Sequence, residues 1–161
     1  MSTREKIVSL GMLKRKIAAH RKQGKKISFT NGCFDILHFG HVAYLEAAKK
    51  SNRILIVGLN SDDSVRRLKG PQRPINSQKD RAHVLAALAC VDYVVIFNDD
   101  TPYQLIKAIN PDVLIKGGDW KGKEVVGSDI VIQNGGKVEF PKYLSSYSTS
   151  KTIDRLSSTI R

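Results

Sequence analysis

The chain has 161 residues, of which 41% are hydrophobic, and a formal net charge of +12 at pH 7. This length suits one folded domain with its own core. Because no run of 18 apolar residues occurs, we expect no transmembrane helix, and the charged N-terminus does not fit a secretory signal. Two cysteines, Cys33 and Cys90, lie far apart without metal-site spacing. This pattern argues against structural zinc and favours a reducing cytoplasm.

The positive charge is concentrated at the N-terminus. Residues 1–26 contain nine Lys or Arg residues and one acid, Glu5, which is +8 of the +12. Leu10, Leu13 and Ile17 form an apolar stripe at helical spacing. We therefore predict that residues 1–25 form a basic helical arm with a solvated charged face. The alternative is an arm that binds RNA or anionic surfaces without specificity.

Strands and helices alternate after this arm. The pattern predicts a strand over 27–30, a turn at Asn31-Gly32 and a helix that carries Tyr44, Leu45 and Ala48. Later elements are predicted as strands over 53–59, 92–97, 112–116 and 137–140, and as helices near 62–68, 78–89, 101–110 and from about 148. Thr101 is expected to cap its helix, with Pro102 at the first helical position and Pro111 after the end. This alternation predicts a single α/β domain with a doubly wound parallel sheet.

Two histidines, His38 and His41, lie where the helix after the first strand begins. Residues three apart share a helix face, and free backbone N–H groups at a helix start favour an anion. Gly32 and Gly40 leave room for a ligand to approach the backbone. The combination suits a phosphate chain. A structural or merely exposed histidine is the alternative for each.

The segment HFGH at 38–41 resembles the His-x-Gly-His signature of the nucleotidyltransferase superfamily. The longer string GCFDILH at 32–38 resembles its cytidylyltransferase-like branch. Further ordered matches occur as VGLNSD at 57–62, LKGPQRPIN at 68–76, KGGDW at 116–120 and YSTS at 147–150. Together these motifs, from about Lys26 to Leu156, resemble the D-glycero-D-manno-heptose 1-phosphate adenylyltransferases. The resemblance implies a Rossmann-like nucleotidyltransferase fold over residues 26–161. It also implies synthesis of ADP-heptose and pyrophosphate from ATP and heptose 1-phosphate, with the β anomer expected, for lipopolysaccharide or another surface glycan.

The resemblance and the phosphoryl-transfer chemistry together suggest roles for individual residues. His38, His41 and Lys69 are expected to be catalytic, because they can stabilise charge on the phosphoryl oxygens. The nucleotide is expected to contact Asn31, Gly32, Cys33, Phe34, His38, His41, Arg81, Lys116, Gly117, Tyr147, Ser148, Thr149 and Ser150. The sugar phosphate is expected to contact Asp35, Asn60, Asp62, Arg73, Asp119 and Trp120.

Several of these residues have plainer alternatives. Lys69, placed in a loop rich in Gly and Pro, has the alternative of an exposed lysine, and Arg81 that of pairing with Asp80. Asp35 is equally suited to capping the following turn or to helping hold a metal, and Trp120 to packing. No dense carboxylate cluster appears, so we predict no protein metal site and expect Mg²⁺ to be carried mainly by ATP.

Two other functions stay open at this point. The first is a cytidylyltransferase that acts on glycerol 3-phosphate or another polyol phosphate. The second is a nucleotide- or RNA-binding module that has lost catalysis. We expect a cytoplasmic homodimer with no specific nucleic-acid partner and no membrane insertion, and a separate heptose kinase that makes the substrate.

Overall fold

The computed structural model of the chain describes residues 1–142, 147, 149, 152–153 and 155. Five strands form one sheet in the order β3-β2-β1-β4-β5, and every neighbouring pair is parallel. The strands are β1 Lys26–Gly32, β2 Arg53–Asn60, β3 Tyr93–Phe97, β4 Val113–Ile115 and β5 Lys137–Glu139. The predicted parallel sheet is therefore confirmed. The chain proceeds from β1 to β2 on one side and places β4 on the other, so the strand order switches between β1 and β4.

Helices connect the strands and cover the sheet. They are α1 Thr3–Lys6, α2 Leu10–Lys22, α3 Phe39–Ala48, α4 Asp62–Lys69, α5 Gln78–Ala87, α6 Tyr103–Ile109, α7 Ser128–Gln133 and a 3₁₀ helix, Gly118–Trp120. Serine side chains at Ser9, Ser61 and Ser77 cap the starts of α2, α4 and α5. None of the described helices has the length and apolar character needed to cross a bilayer.

Apolar residues on the strands alternate between two core layers. On β2, whose eight residues are all buried, Ile54 and Ile56 join Phe29 in one layer, which α2, α6 and α7 complete. Leu55 and Val57 point into the other layer, which α3 and α5 complete. A strand covered on both faces is expected to be continuously apolar. The doubly wound arrangement is therefore confirmed.

The basic arm packs onto this sheet. The predicted apolar stripe of α2 is buried at Leu13 and Ile17, which belong to the larger core layer. The backbone N–H of Val8 donates to the carbonyl of Val94 over 3.0 Å, and His20 hydrogen-bonds the Tyr93 hydroxyl over 2.9 Å. The region near residue 25 thus marks a change in charge, whereas the core continues across it.

Local predictions near α6 were wrong by one residue. Pro102 occupies the cap position and helix α6 begins at Tyr103, so Thr101 does not cap it. The helix ends because Asn110 adopts a left-handed conformation with φ of 48°.

Lys69 was expected in a loop but is the last residue of α4, and Gly70 follows with φ of 99°.

Candidate active site

A cavity of about 610 Å³ opens beyond the carboxyl ends of β1, β2 and β4, where ligands bind in doubly wound sheets. Most of the residues expected at the site line it. They are Asn31, Gly32, Cys33, Phe34, Asp35, His38, His41, Asn60, Lys69, Arg73, Lys116, Gly117, Trp120, Tyr147 and Thr149. Ser148, Ser150 and the side chain of Asp119 lie outside the described part of the chain. Motifs spread over about 120 residues of sequence thus meet at one edge of the sheet.

The two histidines stack on each other at the start of α3. His38 is the residue that precedes the helix and His41 lies in its first turn. Their ring centroids are 3.8 Å apart, with 17° between the ring planes. Burial, and then the proximity of His38, lower the pKa of His41 to about 4, and burial also lowers the pKa of His38. The His41 imidazole is therefore neutral at pH 7, and the lowered pKa of His38 favours its neutral form; a neutral imidazole offers one N–H donor.

Aromatic side chains of the protein occupy the space beside Gly32 and Gly40, where we expected a ligand to approach the backbone. A Cβ atom at Gly40 would lie 2.9 Å from Cβ of Tyr147 and 3.1 Å from Nδ1 of His38. A Cβ atom at Gly32 would lie 3.0 Å from the ring of Phe34. The absence of side chains at both positions therefore lets the aromatic residues of the site pack closely.

The C-terminal motif lies beside the histidine pair. The ring of Tyr147 stacks 6.0 Å from that of His38 and meets Phe39 edge-on at 5.6 Å. The hydroxyl of Thr149 donates to the carbonyl of Ile36 over 3.2 Å, which attaches this motif to the loop after β1. Tyr147 and Thr149, the described residues of this motif, therefore line the cavity together with the histidine pair.

Lys116 and Asn31 bridge the point where the strand order switches. The Lys116 ammonium follows β4 and donates to the side-chain oxygen of Asn31, near the end of β1. It also lies 5.8 Å from the centroid of the Trp120 ring. Burial lowers the pKa of Lys116 to about 8. The ion pairs among the described side chains do not include it. It is therefore a mostly buried cation that faces the cavity.

The Asp35 carboxylate ties two loops together. It accepts hydrogen bonds from Nε of Arg73 over 2.6 Å and from the backbone N–H groups of Ile75 and Asn76 over 2.8 and 3.1 Å. Its side chain is 1% exposed. The alternative in which Asp35 caps the turn that directly follows it is wrong, because its carboxylate accepts hydrogen bonds from the 70–76 loop. Contact of Asp35 with the sugar phosphate stays a prediction, although both of its oxygens already have partners.

Arg81 and Asp62 do not line this cavity. The Arg81 side chain is 1% exposed, and its Nη2 donates to Oδ1 of Asp62 over 2.8 Å. The alternative of pairing with Asp80 is wrong, because Asp80 accepts a hydrogen bond from Ser77 instead. The structure therefore places Arg81 beneath the site loops, where its nitrogens already donate to protein groups.

Other cavity residues were not identified from the sequence. The Tyr44 hydroxyl donates to the carbonyl of Ile115 over 3.0 Å and lies 2.6 Å from Thr30 Oγ1, so it joins β1 to β4 at the base of the site. Leu68, Val126 and Asp100 also line the cavity. Asp100 follows the third strand closely, and that position was an available signal. Leu68 belongs to the motif at 68–76, which was also a signal, whereas Val126 lies in none of the quoted motifs.

Comparison with known proteins identifies the family. The model of the cytidylyltransferase-like family matches residues 29–155. Among curated relatives, the bifunctional protein HldE of Wolinella succinogenes is 56% identical over 96% of this chain and 32% of its own length. The protein of the same name from Nitratiruptor sp. is 59% identical over 85% of this chain and 29% of its own length. The chain therefore spans about a third of these relatives.

Solved structures agree with this match. The crystal structure of a lipopolysaccharide core biosynthesis protein from Thermoplasma volcanium has a TM-score of 0.59 and 27% identity, and it covers 74% of this chain and 96% of that one. A pantoate-beta-alanine ligase from Francisella tularensis shares the fold, with a TM-score of 0.58, 16% identity, and coverage of 84% of this chain and 66% of that one. Since the family model covers most of its length, the chain belongs to the cytidylyltransferase-like family.

Proposed function

We propose that this chain is an adenylyltransferase that converts ATP and heptose 1-phosphate, the β anomer, to ADP-heptose and pyrophosphate. The observation that carries the proposal is the stacked pair of His38 and His41 at a helix start, facing a cavity at the strand ends. The ordered motifs support the choice of substrate, because they resemble heptose 1-phosphate adenylyltransferases. Relatives named HldE at 50–59% identity support it as well.

In this reaction the protein must align the two substrates and stabilise the negative charge on the phosphoryl oxygens. A phosphate oxygen of the sugar attacks the α-phosphorus of ATP, a new P–O bond forms, and the bond to the departing pyrophosphate breaks. The N–H groups of His38 and His41 and the free amides at the start of α3 donate to the phosphoryl oxygens. Lys69 and Lys116 add positive charge around the cavity. These groups are fixed before the substrates bind, which lowers the cost of reorganisation.

The donor groups fit a magnesium ion that ATP brings with it. Within the described residues, no three side chains of His, Cys, Asp or Glu cluster as metal ligands. Mg²⁺ retains waters and binds substrate phosphates with few protein carboxylates. When bound, the ion neutralises charge on the phosphates. The protein then needs to hold the complex through Lys69, Lys116 and the helix start.

The remaining assignments extend this proposal. Nucleotide contact by Ser148 and Ser150 and sugar contact by Asp119 rest on the resemblance. We place the nucleotidyltransferase domain at residues 26–161, after the helical arm at 1–25. A cytoplasmic homodimer supplied by a separate heptose kinase, without a specific nucleic-acid partner, completes the hypothesis.

Pyrophosphate release measured across four nucleotides tests the function directly. ATP, CTP, GTP and UTP are each combined with heptose 1-phosphate of either anomer, glycerol 3-phosphate and other sugar phosphates. We expect turnover with ATP and the β anomer, and none in a His38→Ala, His41→Ala double variant that remains folded. Preferred use of CTP with a polyol phosphate would instead establish the cytidylyltransferase alternative. Absence of turnover with every pair, accompanied by nucleotide binding, would favour a binding module.

A further inference from the structure

Ring packing helps to orient the histidine pair. The Nδ1 atoms of His38 and His41 are buried, and neither has a hydrogen-bond partner within the described part of the chain. A functional histidine ring is usually fixed by a hydrogen bond from its second nitrogen. Here the ring of His41 instead lies between that of His38, 3.8 Å away, and that of Phe34, 5.1 Å away. The position of Phe34 therefore determines where His41 points.

Phe34 has a backbone conformation that needs support. Its φ of 44° lies in the left-handed region, which is unfavourable for an aromatic residue. Phe34 is 8% exposed, and its ring packs so closely against Gly32 that a Cβ atom there would lie 3.0 Å from it. Strained conformations of this kind persist only where the surroundings fix them.

A partly buried clasp of hydrogen bonds holds the residues on both sides of Phe34. The carbonyl of Cys33 accepts a hydrogen bond from Nη1 of Arg81 over 2.5 Å. The carbonyl of Asp35 accepts one from the side-chain amide of Asn76 over 2.8 Å. Arg81 also donates from Nε to the carbonyl of Asn76 over 3.0 Å and from Nη2 to Asp62 over 2.8 Å. The Arg81 guanidinium thus joins three segments: the loop after β1 at Cys33, the 70–76 loop at Asn76, and the start of α4 at Asp62.

We propose that Arg81 is a positioning residue, which acts through the Cys33 carbonyl and Phe34 to hold the His41 ring toward the reacting phosphate. The kinetic test of this inference rests on the proposed function. Arginine suits the role because its planar group donates in three directions at once, whereas lysine is a single point of charge. The sequence suggested that Arg81 contacts ATP. Contact predicts a higher KM for ATP, whereas positioning predicts a lower kcat at nearly constant KM.

The first test is Arg81→Lys, which keeps the charge and removes the fork. We expect kcat to fall about 10²-fold, the typical cost of a catalytic group displaced by about 1 Å. The KM for ATP should change less than about threefold. Asp80→Asn is the matched control, because Asp80 lines the same small pocket of about 110 Å³ beside Arg81 without bonding to it. Its kinetics should equal those of the wild type.

Chemical rescue separates positioning from general loss of stability. Arg81 lines part of the small pocket, so removal of its side chain should extend this pocket to the site of the guanidinium. Guanidinium at low millimolar concentration should raise the kcat of Arg81→Ala at least about tenfold, whereas urea at the same concentration should leave it unchanged. If the Arg81 variants do not fold, Asn76→Ala replaces them. It removes one arm of the clasp from an exposed residue and should lower kcat in the same direction.

Histidine NMR of the ligand-free protein tests the geometry without the reaction. Arg81→Lys should shift the ring-proton signals of His41, because the ring current of Phe34 moves, and should leave those of His20 unchanged. Unshifted His41 signals together with unchanged kcat would overturn the inference. A raised KM with unchanged kcat would also overturn it, in favour of direct ATP contact. An inactive wild type with shifted His41 signals would reject the proposed function alone.

Discussion

Replacing Lys116 with methionine should stabilise the protein while it weakens the activity. Burial lowers the pKa of this lysine from an ordinary value of 10.5 to about 8, because the ammonium loses water. At 1.36 kcal/mol per pKa unit, this corresponds to about 3 kcal/mol of unfavourable free energy in the charged folded state. The hydrogen bond to Asn31 offsets about 1 kcal/mol of that. A net gain of about 2 kcal/mol should raise the Tm by about 4–8 °C.

The stabilising effect of Lys116→Met should depend on pH. The folded-state pKa lies below the unfolded one, so the penalty is fully present below about pH 8 and disappears by about pH 10.5. The stability advantage of Lys116→Met should therefore be largest at neutral pH and vanish in that range. Thermal unfolding at pH 7, 8, 9 and 10 measures it. Lys123→Met is the control, because Lys123 lies at a similar distance, 5.9 Å, from the Trp120 ring but is exposed.

The activity should respond in the opposite direction. A hydrogen bond from a cation to a phosphate oxygen contributes about 1.5–3 kcal/mol, so kcat/KM for ATP should fall about 10- to 100-fold in Lys116→Met. In the wild type, kcat/KM should fall about tenfold per pH unit above pH 8 as the ammonium loses its proton. A variant that is less stable than the wild type at pH 7, or one with unchanged kcat/KM, would refute this reasoning.

We expect three further outcomes, two at the site and one at the N-terminal arm. His38→Ala and His41→Ala should each fold normally and lose about 10²–10³ in kcat, the usual cost of a preorganised donor to the transition state; single-turnover kinetics on folded variants measure this. Deletion of residues 1–20 should lower the Tm, because Leu13 and Ile17 belong to the core, and the surviving protein should keep its KM for ATP. ATP should exceed CTP by at least about tenfold in kcat/KM, since an unpaired polar group in the base pocket costs about 1–3 kcal/mol; parallel kinetics with saturating heptose 1-phosphate decide it.

The strands could be predicted from sequence because their signals are local. The continuous apolar run of β2 predicts burial on both faces. The predicted turn at Asn31-Gly32 is wrong, because both residues continue β1 and pair with Gly58 and Leu59 of β2. The cap of α6 was misplaced, because the choice between Thr101 and Pro102 depends on the backbone angles of a single residue. The order β3-β2-β1-β4-β5 has no local signal, since it depends on how each connection crosses the sheet.

Sequence position shows that a residue is near the site, but not which way its side chain points. Lys116 and Arg81 are both basic residues close to a predicted strand or loop of the site. Lys116 faces the cavity, whereas Arg81 turns beneath the loops and donates to two carbonyls and a carboxylate. The direction of the Arg81 side chain depends on partners 5 to 48 positions away in the chain. Sequence reasoning therefore assigns both residues to the ligand.

The direction of these side chains also divides the site into two kinds of residue. Those that face the cavity, such as Lys116, carry unfavourable burial that a bound phosphate can relieve, so their replacement should favour stability over activity. Others, such as Arg81 beneath the cavity and Asp35 in its lining, have their hydrogen bonds satisfied by protein groups, so their loss leaves those partners unpaired. Stability and kcat should consequently fall together at Arg81 and move in opposite directions at Lys116. Measuring both quantities for the two variants distinguishes a residue that binds the ligand from one that holds the site in place.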